Sequence, residues 1–85
     1  MNATNDIAFL IDSSGSIGST DFATELDWVA TLIEEGVSSE SRVAFIRFAR
    51  DSDLLMNFTA SEKFTNQELQ DYARNIYYTG GTPPV

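Results

Sequence analysis

Apolar positions fall along the chain in two rhythms. Ile7-Ala8-Phe9-Leu10-Ile11 is apolar without alternation between Asp6 and Asp12. A run that short and unbroken reads as a strand of the parallel, buried kind, covered on both faces. Phe22, Leu26, Val29, Ala30 and Ile33 then recur at helical spacing, with Trp28 and Leu32 beside that stripe as packing residues. Ser19 or Thr20 is placed to cap this helix, Asp21 falls in its first turn, and Gly36 is its stop. Arg42 to Ala49 reads as a second strand, its apolar residues supplying both faces. Arg50-Asp51-Ser52 forms a turn, and Leu54 to Phe58 alternates as a third, antiparallel edge strand. Thr65-Asn66-Gln67-Glu68 is a capping-box pattern, followed at helical spacing by Leu69, Tyr72, Ala73 and Ile76.

The order is therefore strand, helix, strand, strand, helix, glycine turn. A strand–helix–strand unit makes a right-handed crossover between parallel strands. The expected fold is α/β: one domain over 1–85, with a three-stranded mixed sheet in the order 3-2-1 and flanking helices. Sheets of this type bind ligands beyond the carboxyl ends of their strands. Asp12 stands at such an end.

Composition narrows the chemistry. The 85 residues are 42% hydrophobic, which suits one small globular domain. There is no cysteine and no histidine, which removes disulfides, thiol and imidazole nucleophiles and the usual zinc sites. Thirteen acidic against five basic residues give a net charge of −8. Such a chain is poorly suited to nucleic acid or anionic membranes and compatible with a divalent cation or a basic partner. No segment reads as a membrane span or a basic-then-apolar leader. Asn2-Ala3-Thr4 and Asn57-Phe58-Thr59 are acceptor patterns for N-glycosylation, so an extracellular or secreted parent is expected.

Asp12-Ser13-Ser14-Gly15-Ser16 carries the candidate chemistry. Mg²⁺ takes oxygen ligands and keeps several waters, so a few protein oxygens suffice. Residues two apart in a turn can point the same way, so Asp12, Ser14 and Ser16 could converge, with Gly15 permitting the tight backbone. One carboxylate and neutral hydroxyls would leave the cation able to attract an acidic group from another molecule. The plain alternative is turn formation and helix capping by the same residues. An aspartic-protease reading fails because glycine stands three, not two, residues after Asp12, and the all-β pattern is absent. A phosphate loop is disfavoured by Asp12 and by the missing lysine.

These residues carry a resemblance. Asp12-Ser13-Ser14-Gly15-Ser16 matches the D-x-S-x-S motif of the von Willebrand factor A (integrin I-type) domain. "IAFLIDSSGSIG", Asp21-Phe22, "RVAFIRFA" and "TGGT" at Thr79 to Thr82 are similar to successive parts of that family. The resemblance implies half of a doubly wound, Rossmann-like fold and a metal-ion-dependent adhesion site. Ser14 and Ser16 would bind Mg²⁺ (or Mn²⁺ or Ca²⁺) directly, Asp12 directly or through water, and Thr82 from the later loop. A carboxylate of a partner protein would complete the sphere, making a non-enzymatic cell-adhesion module.

The chain also departs from the family pattern. The family continues past the glycine turn, and its site uses a second aspartate from a loop after a fourth strand. Pro83-Pro84 replaces the small polar residues common after the threonine. The expectation is thus an N-terminal half domain with weak cation binding, or alternatively an inert or self-associating half. With the fourth strand absent, Ile7 to Ile11 would present an open edge, and a homodimer joined through that edge is expected.

Overall fold

A computed structural model describes residues 5–38 and 40–80, and among them are three strands and three helices. In order they are β1 (Asn5–Asp12), α1 (Gly18–Gly36), β2 (Ser41–Phe48), β3 (Ser52–Met56), α2 (Phe58–Ser61) and α3 (Asn66–Arg74). The sheet runs β1-β2-β3, the expected order, with β1 parallel and β3 antiparallel to β2. Ile7 sits opposite Val43, Phe9 opposite Phe45 and Ile11 opposite Arg47. No helix among the described residues is long and apolar enough to cross a membrane.

The odd-numbered positions of β1 and β2, with Met56 of β3, face the core. Ile11, Val43 and Phe45 join Phe22, Leu26 and Ile33 of α1 and Leu69 and Ala73 of α3 in one cluster. Phe45 is fully buried, stacked on Phe9 at 5.7 Å between ring centroids and tilted against Tyr72 at 5.2 Å. The opposite face departs from expectation, because both long helices pack on the same side. Leu10, Ile46 and Leu54 lie in register across that other face, and Leu10 and Leu54 are 66% and 62% exposed. Among the described residues the two long helices cover one face of the sheet only, and on the other Ala44 is buried while Leu10 and Leu54 are exposed. Trp28 (63% exposed) and Leu32 also face outward, one position off the buried stripe of α1.

Two boundaries move for local reasons. The third strand ends at Met56 rather than Phe58, because Asn57 caps α2 by accepting the Ala60 N–H at 2.7 Å. Within β3 the pairing shifts from Phe45–Met56 to Ile46–Leu54, which leaves Leu55 as a bulge residue whose carbonyl accepts from the Tyr72 hydroxyl at 3.0 Å. α1 starts at Gly18, so Ser19 and Thr20 lie inside its first turn and neither caps it. Gly18 takes φ +82°, a conformation that suits a residue without Cβ. The capping box of α3 is present: the Thr65 hydroxyl accepts from Glu68 N, and the Glu68 carboxylate accepts from Thr65 N. The helix ends at Arg74, so Ile76 packs on the core from the segment beyond it. Asn66 ties the two helices, its amide donating to the Ile33 and Val37 carbonyls at the end of α1.

At the start of the sheet, Arg42 of β2 donates to both Asp6 oxygens, at 2.9 and 2.7 Å. Those hydrogen bonds, with the guanidinium charge, hold the Asp6 carboxyl below its ordinary value near 3.8. A carboxyl with a depressed folded pKa contributes stability above its unfolded pKa and loses it as pH falls through the folded value. Asp6→Asn is therefore expected to lower the urea midpoint modestly at neutral pH. The difference from wild type should shrink as pH is lowered below 3.8. A difference that persists unchanged into acid would show that the ion pair is not its source.

Candidate functional site

β1 leaves the sheet at a turn that its backbone hydrogen bonds define. Ser13 N–H still donates to the Phe48 carbonyl at 2.7 Å, so that residue completes the ladder to β2. Backbone groups alternate in direction along a strand, so the Asp12 N–H points to the open edge of β1. There the Glu25 carboxylate of α1 accepts it at 3.1 Å. The Asp12 side chain turns back on its own loop, its Oδ1 accepting from Ser14 N–H at 2.8 Å. Those hydrogen bonds from Ser14 keep the Asp12 carboxyl below the usual carboxylate range. The Ser14 and Ser16 hydroxyls approach to 3.1 Å. One ionised carboxylate and two hydroxyls thus occupy one partly exposed turn at the carboxyl end of β1.

The segment after α3 returns to this turn. Ser13 is fully buried, and its hydroxyl accepts the Thr79 N–H at 2.7 Å and pairs with the Thr79 hydroxyl at 2.8 Å. The Tyr78 hydroxyl donates to the Ser14 carbonyl at 2.8 Å and accepts the Gly18 N–H at 3.1 Å, while its ring lies 5.0 Å from that of Phe22. In accepting from Gly18, Tyr78 does for α1 what Ser19 or Thr20 was expected to do. A Cβ at Gly15 would stand 3.0 Å from the Gly80 carbonyl oxygen, so the serine turn and the glycine loop meet as closely as backbones can. Thr82 and Asn2 lie outside the described residues. Asn57 is exposed at the start of α2.

Four residues at this site went unread in the sequence. Ser13 continues the period-two pattern of Ile7, Phe9 and Ile11 onto the buried face, a signal that could have found it. Glu25 lies within the apolar stripe of α1, next to Leu26 and three positions after Phe22, where a charge is out of place. Burial pushes the Glu25 carboxyl up, the Asp12 N–H pulls it down, and the Asp12 charge adds to the rise. Tyr78 carries no local signal and Thr79 entered only as the first residue of the TGGT stretch; it is the fold that brings both back to β1.

The donor set is short of charge. Among the described residues, no three His, Cys, Asp or Glu side chains gather into a metal-holding group. The turn offers hydroxyl and carboxylate oxygens alone, which suits a hard cation that retains water. A second concavity, a groove of about 460 Å³ between β3 and α3, has Arg47 at its base. The terminal nitrogens of Arg47 are engaged by Asp53 at 3.0 Å and the Tyr77 carbonyl at 3.1 Å, while its buried Nε has no partner among the described residues. That positive charge disfavours a metal ion, so the serine turn is the better candidate for a cation.

The von Willebrand factor type A domain family matches residues 6–84. Human Cochlin is 33% identical over 84 residues, which cover 95% of this chain and 15% of Cochlin. The chain thus spans a small part of that relative's length.

Proposed function

Because the chain belongs to the von Willebrand factor type A domain family, a family of protein-interaction modules, we propose that it is a non-enzymatic adhesion-type module that binds a partner protein through a divalent cation. The observation that carries this reading is the pair of Ser14 and Ser16 hydroxyls 3.1 Å apart, beside an Asp12 carboxylate held ionised by Ser14. Asp12, Ser14 and Ser16 would hold Mg²⁺, or Mn²⁺ or Ca²⁺ in its place. Thr82 is a further ligand in this proposal, supported by the glycine loop that meets Gly15 two residues before it. The cation supplies positive charge that attracts a carboxylate of the partner; the turn's own part is to fix the oxygens. With one carboxylate in the turn the affinity is weak, on the order of millimolar for Mg²⁺. The two acceptor patterns at Asn2 and Asn57 fit a secreted parent.

A second reading rests on the uncovered sheet. The open edge of β1 and the exposed Leu10 and Leu54 favour self-association of this 85-residue chain through its first strand, with or without metal. Isothermal titration with Mg²⁺ and Mn²⁺, beside a Ser14→Ala control, tests the first reading. Weak binding lost in the variant is expected, and equal heats for both proteins would overturn it. Sedimentation equilibrium tests the second: a dimer is expected at micromolar concentration, and a single 9.4 kDa species would refute it.

A further inference from the structure

The two carboxylates that meet at the end of β1 are joined by one backbone amide. Glu25 Oε2 accepts the N–H of Asp12 itself, at 3.1 Å, while the side chain of Asp12 bends toward Ser14. Among the described residues the ion pairs engage Asp6, Asp27, Asp53 and Glu62, and neither Asp12 nor Glu25 has a basic partner. Glu25 Oε1 is buried and receives no hydrogen bond. A charged carboxylate inside the apolar stripe of a helix costs stability that a neutral side chain would not. The strand end needs only an acceptor for the Asp12 N–H, and a glutamine carbonyl oxygen would serve. The negative charge of Glu25 is therefore surplus to what the fold requires.

We propose that Glu25 is a positioning residue of the cation site, holding the Asp12 backbone in place and adding a second carboxylate charge behind the serine turn. This rests on the reading that Asp12, Ser14 and Ser16 hold a divalent cation. One carboxylate leaves a dication half neutralised, and the hydroxyls add no charge. A second carboxylate at close range, shielded from solvent on one side, raises the attraction at a position where screening by salt is incomplete. The turn thereby acquires an acidic group from the helix that follows it, on a side chain nine residues beyond the motif.

The test compares free Mn²⁺ by electron paramagnetic resonance during titration of the wild-type chain, Glu25→Gln and Glu35→Gln. Glu35 is exposed near the other end of α1 and controls for net charge. Glu25→Gln is expected to bind Mn²⁺ roughly tenfold more weakly, with an unfolding midpoint equal to or above wild type. Glu35→Gln should leave the affinity close to wild type. If Glu25→Gln weakens binding no more than Glu35→Gln does, the proposal is overturned while the cation site stands. If Glu25→Gln lowers the midpoint, the carboxylate is a structural cap and the proposal is again overturned. A wild-type chain that binds no Mn²⁺ overturns the cation-site reading, and this proposal with it.

Discussion

Phe45→Ala is expected to remove about 3–5 kcal/mol of stability and to lower the urea midpoint sharply. Phe45 is fully buried at the centre of β2, between Phe9 on one side and Tyr72 on the other. Its ring therefore links β1, β2 and α3, and truncation opens a cavity that none of the three can fill without moving. A domain of this size has a total stability of roughly 5–10 kcal/mol, so the loss is a large share of the whole. Urea unfolding followed by far-ultraviolet circular dichroism measures it. Leu54→Ala is the control, because Leu54 sits on the same sheet but is 62% exposed on the uncovered face, and its truncation should cost under about 0.5 kcal/mol. Equal losses for the two variants would mean that the second face is covered as well, contrary to the described arrangement.

The contrast between those two residues marks how far the sequence could be read. Phe45 and Leu54 both stand in apolar strands, and periodicity alone cannot say which face a helix will cover. The spacing of Phe22, Leu26, Val29, Ala30 and Ile33 revealed α1 and its buried side, because an amphipathic stripe records which side meets the core. Thr65 and Glu68 announced the start of α3, because a capping box is a contact within four residues. Asn57 misled, since one polar residue in an apolar run suits an edge strand as well as a helix cap. Only the hydrogen bond to Ala60 separates the two. At the site, Asp12, Ser14 and Ser16 were legible as a spacing. Ser13, Glu25, Tyr78 and Thr79 were not read, and the last two reach the turn from more than sixty residues away.

The same junction gives the second large effect. Ser13→Ala removes the acceptor of the Thr79 N–H and the partner of the Thr79 hydroxyl, at a position with no solvent exposure to supply water. A buried donor left unpaired costs about 1–3 kcal/mol, which for a domain of this length lowers the melting temperature by roughly 4–8 °C per kcal/mol. Tyr78→Phe removes the hydroxyl that joins the Ser14 carbonyl to the Gly18 N–H and keeps the ring against Phe22. Its cost should be about 1–2 kcal/mol, because Tyr78 is partly exposed and water can replace some of the bonding. The two side chains hold one segment to one turn, Tyr78 at the start of α1 and Ser13 at the end of β1. Once either is lost, the segment 77–80 is free to lift, and the other contact has less left to lose. The double variant is therefore expected to cost less than the sum of the singles, with a coupling of about 0.5 kcal/mol or more. Thermal unfolding of the four proteins measures that coupling, and amide exchange at Thr79 reports the lifting directly. Strict additivity, with Thr79 still protected in both single variants, would mean that the segment is held by its packing on Phe22 rather than by these hydrogen bonds.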